Sequence, residues 1–194
     1  MKDTNTQPQA GRNPDPHDMI AIFDQFAPAI YKYALLLCHD SNLADNIVGD
    51  AFAQLLGQFA TGKGPRSDPR LYLYQAAYRS VVEYLGDSQP NPSAEPVVVT
   101  SERLYITSSQ PQDDKEALIS ALKDELTEDQ RHVVTLYFLE DFNLKETAKI
   151  LGKNVGEIQA SLRDFRKIIQ NHPELLTDSL SALLNKKRRK RKPK

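Results

Sequence analysis

Between Asn143 and Ile169 the apolar positions fall in two short runs, each at helical spacing, broken by a glycine. Leu144, Ala148 and Leu151 line one side of the first run; Ile158, Leu162, Phe165 and Ile169 line the second. Asn143 with Glu146, and Asn154 with Glu157, have the spacing of capping boxes, in which a side-chain oxygen and a backbone N–H satisfy each other's helix start. Gly152 sits where the first helix must stop, because only glycine adopts the left-handed conformation cheaply. Two helices joined by so short a turn must pack at a steep angle. The pattern predicts a helix-turn-helix.

The same period predicts the rest of the chain. After a polar, proline-bearing leader over 1–16, a short helix is expected from His17 to Phe26. A second helix should begin at Pro28 and run to Cys38, because proline suits a first turn. Ser41 or Asn42 is expected to cap a third helix whose core stripe is Ala44, Ile47, Val48, Ala51, Leu55 and Phe59. Phe52 and Leu56 lie beside that stripe with Asp45 and Gly49, giving an apolar strip with an acidic edge that suits docking of another protein, or simply a wider core face. Asp68-Pro69 starts a fourth helix to Leu85, rich in tyrosine (Tyr72, Tyr74, Tyr78, Tyr84). Such rings stack on unpaired bases or fill a core. Prolines bracket a segment without helical period, predicting a flexible linker over 87–113. A further helix is expected over Asp114–Glu125. The next starts at Thr127, with Gln130 in box position, and carries Val133 to Leu139. Pro173–Leu184 predicts a last short helix, followed by a basic disordered tail over 185–194.

The fold class expected is therefore all-α: two small helical domains joined by a flexible linker, the second (114–184) containing the helix-turn-helix and the first spanning 17–86. Around the second helix of the motif, at about 100° per residue, Gln159, Arg163, Arg166 and Lys167 share an arc outside the apolar stripe, while Glu157 and Asp164 share the other flank. Arginine and glutamine on such a helix suit phosphate contact and base-edge hydrogen bonding in a major groove. An ordinary amphipathic helix with a solvated charged face has the same pattern.

Charge changes the picture. The chain has 25 Lys and Arg against 26 Asp and Glu, but eight of the bases lie in Lys186–Lys194. Without them 17 bases (25 less 8) face 26 acids, a balance of −9. The body is too acidic to hold nucleic acid by bulk attraction, so any DNA contact must be local, assisted by the basic tail, or delivered by a partner. The single cysteine, Cys38, excludes an internal disulfide and points to a reducing compartment. No metal-ligand spacing, phosphate loop or Ser/His/Asp set stands out, so neither a metal, a cofactor nor an enzyme is expected. No run of about 20 apolar residues suggests a membrane span, and the polar start with Asp3, Asp15 and Asp18 does not read as a signal segment.

The order of these parts resembles a known family. Ala-Asp-Asn-Ile-Val-Gly-Asp-Ala-Phe (Ala44–Phe52), a linker, Leu-Thr-Glu-Asp-Gln-Arg-His-Val-Val-Thr-Leu-Tyr-Phe-Leu-Glu (Leu126–Glu140) and the helix-turn-helix are similar to the extracytoplasmic-function type sigma factors of bacterial RNA polymerase. Gln130-Arg131, Glu146-Thr147-Ala148 and Leu151-Gly152 carry the likeness in the second domain. The resemblance implies a cytoplasmic protein whose partners are core RNA polymerase and promoter DNA, and it leaves room for an anti-sigma factor. It implies polymerase docking through Asp45, Gly49, Asp50, Phe52 and Leu56. It implies help in promoter melting from Tyr72, Tyr78 and Arg79, and reading of the minus-35 element by Lys153, Asn154, Gln159, Arg163, Arg166 and Lys167. The first domain would serve the minus-ten element, and catalysis would belong to the polymerase.

The chain also departs from the family pattern. Asn46, Gly49 and Ala51 replace an acid, a glutamine and a threonine in the docking segment; Glu83 and Asp87 stand where basic residues are usual. Gln159, Ser161 and Asp164 occupy positions that often hold Lys or Arg. Each lost phosphate contact weakens binding and flattens its salt dependence. Two alternatives follow: a sigma-like interaction module with little DNA reading, and a stand-alone helix-turn-helix repressor that binds duplex DNA without polymerase.

Overall fold

A computed structural model describes residues 16–62, 64, 68–86 and 125–172. All regular structure among them is helical. The chain divides into two units, Met1–Ser101 and Glu102–Lys194, and the division falls inside the segment expected to link two domains. The leader through residue 15, the whole of that linker, the helix expected before Glu125, the Pro173–Leu184 helix and the basic tail lie outside the described residues.

The first unit packs three helices, each against both others: α1 (Pro16–Cys38), α2 (Ser41–Ala60) and α3 (Pro69–Gly86). Here α1 corrects the expectation of two helices, because it runs unbroken through Pro28. A proline inside a helix removes one N–H, and the orphaned acceptor is the carbonyl four residues back, that of Asp24. Asp24 and Pro28 are both exposed, so water can serve that carbonyl and the helix continues. By length and composition Asp18–Cys38 is apolar enough to cross a bilayer, at a mean hydropathy of 1.3. Ala27, Ile30, Tyr33, Ala34 and Leu37 are nevertheless buried, so this apolar side is the inner face of the unit.

The turn into α2 also differs from expectation. His39 takes the left-handed conformation (φ 55°) and its N–H still bonds the Leu35 carbonyl at 2.9 Å. That reversal brings Asp40, not Ser41 or Asn42, to the cap, where its carboxylate accepts from the Leu43 N–H at 3.0 Å. The predicted stripe Ala44, Ile47, Val48, Ala51 and Leu55 is buried, with Phe59 half-buried. At the start of α3 the Asp68 carboxylate accepts from the Arg70 N–H at 2.9 Å, as Asp68-Pro69 predicts.

The second unit holds α4 (Glu128–Val134), a π-helical turn (Thr135–Leu139), α5 (Leu144–Leu151) and α6 (Val155–Asn171). The helix expected from Thr127 to Leu139 is thus α-helical only in its first half. In the π turn the Glu140 N–H reaches five residues back to Thr135, which inserts an extra residue and shifts the phase of the helix. Val133 through Phe138 are all buried in consequence, more than one face of a regular helix presents. Phe138 packs on Phe165 of α6 with ring centroids 5.5 Å apart.

Candidate nucleic-acid interface and partner surface

The helix-turn-helix is α5, the turn Gly152–Asn154, and α6. At its start Asn143 Oδ1 accepts from the N–H groups of Lys145 (2.9 Å) and Glu146 (3.1 Å), and Glu146 accepts from the Asn143 N–H at 2.8 Å. Gly152 closes α5 at φ 64°. Asn154 and Glu157 repeat the box, at 3.0 and 2.7 Å. The ends of both helices are therefore set by residues close in the chain. The stripe Ile158, Leu162, Phe165 and Ile169 is at most 2% exposed, and it fixes which side of α6 faces solvent.

That outward side carries Arg163 and Lys167, both exposed, with Gln159 and Arg166 half-buried beside them. The arc expected from the sequence is real, but acids reach into it. Lys167 donates to Asp164 at 3.0 Å, so the negative flank touches the basic arc instead of standing apart from it. Lys153, in the turn, is ion-paired with Asp129 in the first turn of α4. Asn154 is exposed, although its Oδ1 is committed to the cap.

Beneath the Lys153–Asp129 pair lies His132, 1% exposed. Burial pushes its pKa down to about 4, because the charged ring would lose its hydration; Asp129 opposes this, while Arg131 and Lys153 add to it. His132 is therefore neutral at physiological pH and contributes no positive charge. A His–carboxylate contact joins the two ends of the described unit: His172 Nε2 lies 2.7 Å from Glu125 Oε1 and 2.8 Å from Oε2.

In the first unit the predicted docking residues separate into two kinds. Leu56 is 51% exposed and Gly49 is exposed, whereas Asp45 and Asp50 are half-buried. Phe52 corrects the expected apolar strip: it is only 6% exposed, packed against Phe23 of α1 at 4.8 Å. An apolar ring within reach of α1 gains more by burial than it would in water. Phe52 thus holds the surface from behind. Asp50 accepts a hydrogen bond from the Tyr84 hydroxyl at 3.0 Å, and burial, then Asp50, raises the Tyr84 pKa.

The aromatic helix α3 turns its rings in different directions. Tyr74 is fully buried, edge-on to Tyr33 at 5.4 Å, with the Arg70 guanidinium 5.6 Å from its ring. Tyr72 and Tyr78 are half-buried and Arg79 is exposed. The Tyr72 hydroxyl donates to the Gln54 carbonyl at 3.4 Å, and Arg79 Nε donates to the Gln75 carbonyl at 3.3 Å. The three side chains expected to assist melting thus lie along one helix.

Sequence reasoning missed the pairings of Asp129 and Glu125, and named Tyr84 only as one of the tyrosines of its helix, not as the partner of Asp50. Each acts across a gap in the chain, and periodicity does not register a partner on another element. Among the described residues no three His, Cys, Asp or Glu side chains come together as a metal site.

The chain is similar in sequence to known proteins. Residues 116–167 match the family model "Sigma-70, region 4". The chain is 22% identical over 166 residues to the ECF RNA polymerase sigma factor SigX of Bacillus subtilis (strain 168), covering 82% of this chain and 85% of that protein. It is 25% identical over 146 residues to the ECF RNA polymerase sigma factor BldN of Streptomyces coelicolor, covering 71% of this chain and 53% of that protein. The match therefore spans about half the length of BldN. Among solved structures, the RsbN–BldN complex is similar at 20% identity and a TM-score of 0.31, covering 78% of this chain and 89% of that one.

Proposed function

We propose a division of labour for this chain, which is an RNA polymerase sigma factor of the extracytoplasmic-function type and directs the bacterial enzyme to its promoters. The second unit reads the minus-35 element. Helix α6 enters the major groove with Arg163 foremost, and Gln159, Arg166 and Lys167 flank it. Lys153 and Asn154 lie at the approach to the phosphates. What supports this best is the exposed arc on a helix whose opposite side is locked by a fully buried stripe.

The first unit docks on the polymerase through α2, where Asp45, Gly49 and Leu56 share the side of Phe52 and Asp50, held by Tyr84, stands round the helix from them. Tyr72, Tyr78 and Arg79 of α3 assist opening at the minus-ten element by stacking and phosphate contact. The acidic body argues that the polymerase supplies much of the affinity: 17 bases against 26 acids outside the basic tail do not attract DNA. An anti-sigma factor that covered either surface would silence the chain. The acids that pair with Lys153 and Lys167 favour a second reading, in which the chain engages polymerase but reads DNA little.

Footprinting a promoter with core polymerase and the purified chain separates these readings. The proposal expects protection of both elements only when both proteins are present. Protection without polymerase would make the chain a stand-alone repressor. Association with polymerase but no protection of the minus-35 element would leave an interaction module.

A further inference from the structure

Both lysines of the expected DNA-contacting set are engaged by carboxylates in the DNA-free chain. Lys153 pairs with Asp129 across the gap between the turn and α4, and Lys167 pairs with Asp164 one turn back on α6. The two pairs are independent in position, and all four residues belong to the second unit. Three of the four side chains are at least half exposed, so solvent and salt screen the pairs. His132, buried beside the first pair and held neutral, does not replace the charge that Asp129 cancels. Arg163 remains outward on the same face.

We infer that Asp129 and Asp164 are positioning residues that mask the phosphate-contacting lysines, so that the motif meets DNA chiefly through side chains such as Arg163 and Gln159. The inference rests on the promoter-reading role given to α6 above. A lysine that stays with its carboxylate neutralises no phosphate and releases no counterion. One that leaves exposes an acid to the DNA. Either route removes most of the roughly 0.9 power of salt dependence that each phosphate contact contributes. Sequence-independent attraction falls, while hydrogen bonding to base edges is untouched. The chain is thereby kept off bulk DNA until a larger complex holds it at a promoter.

The test uses the full chain bound to core polymerase. Its affinity for a promoter duplex, and for a duplex of scrambled sequence, is measured across a salt series. In D129N/D164N the slope of log affinity against log salt should steepen by about one per lysine released, with several-fold tighter binding to both duplexes near 0.1 M salt. The same two changes placed in K153A/K167A should leave the slope where that background has it. A thermal melt of each variant verifies that the unit remains folded. An unchanged slope in a folded D129N/D164N, when the parent complex binds its promoter, overturns the inference alone. An equal steepening in the lysine-free background also overturns it, because the acids would then act by general repulsion. A parent complex that never prefers promoter over scrambled duplex overturns the promoter-reading role and the inference with it.

Discussion

In the second unit three helix starts in succession carry a complete capping box, at Thr127, Asn143 and Asn154. In the first unit the starts of α2 and α3 rest on single aspartates, Asp40 and Asp68, and α1 continues through a proline. The contrast extends to the candidate sites. In the helix-turn-helix Gln159, Arg163, Arg166 and Lys167 are displayed on one arc, while Lys167 and Lys153 of the turn are paired with acids. In the three-helix unit they are part of the packing: Phe52 is buried, Asp50 holds Tyr84, and Tyr72 reaches across to α2. A unit that recognises a regular duplex can offer a rigid, locally specified helix. A unit whose proposed tasks are docking and melting shares its residues between core and surface, and its shape depends on tertiary packing.

The sharpest way to break this comparison is through the cores. Phe165 is 1% exposed at the centre of the α6 stripe, so Phe165→Ala should cost about 3–5 kcal/mol through lost burial and the cavity left behind. Urea unfolding followed by circular dichroism measures it. A loss below about 1 kcal/mol would mean that capping alone holds α6.

His132 gives the next largest effect. Its folded pKa of about 4 lies below the ordinary 6.5, so the folded state favours the neutral ring. That contribution is complete above pH 6.5, fades as pH falls through the window from 6.5 to about 4, and reaches roughly 3 kcal/mol. Unfolding titrations between pH 7 and pH 4 should show the slope, and His132→Gln should flatten it. An equal slope in that variant would assign the acid sensitivity to other groups.

Binding comes third. Arg163→Ala should cost about 1–3 kcal/mol of promoter affinity if the side chain meets a base edge, and should relax preference at one position. Competition between promoter variants reads this out, and unchanged selectivity would remove Arg163 from the reading face. Caps follow: Asn154→Ala and Asp40→Ala should each cost about 1 kcal/mol in melting experiments, since each strands helix N–H groups. Smallest is Gly49→Ala. A Cβ at Gly49 meets nothing within 4 Å, so alanine should stabilise α2 by up to about 1 kcal/mol. A destabilised variant would show that the space is not free.

How much of this was legible in the sequence depends on how local its cause is. The boxes at Asn143 and Asn154, the stop at Gly152 and the stripe from Ile158 to Ile169 are set by residues three or four apart, and all appear as expected. Three features of the first unit were not legible. Pro28 is tolerated only because it faces water, Asp40 caps only because His39 turns left-handed, and Phe52 is inside only because α1 brings Phe23 to it. Each needs a partner or an exposure that linear spacing does not specify. The same holds for the candidate interface. The arc of Gln159, Arg163, Arg166 and Lys167 follows from helix geometry, but the Asp129–Lys153 pair spans 24 positions, and the local Asp164–Lys167 pair was hidden by treating acids and bases as separate flanks.

The central claim is that this chain gives RNA polymerase its promoter choice by displaying α6 outward from the second unit. Run-off transcription from a promoter template with purified core polymerase tests it most directly. The account predicts a discrete transcript only when the chain is added, its yield cut at least several-fold by the combined change Arg163→Ala and Arg166→Ala. A transcript that forms equally well without the chain, or one indifferent to both arginines, would contradict it.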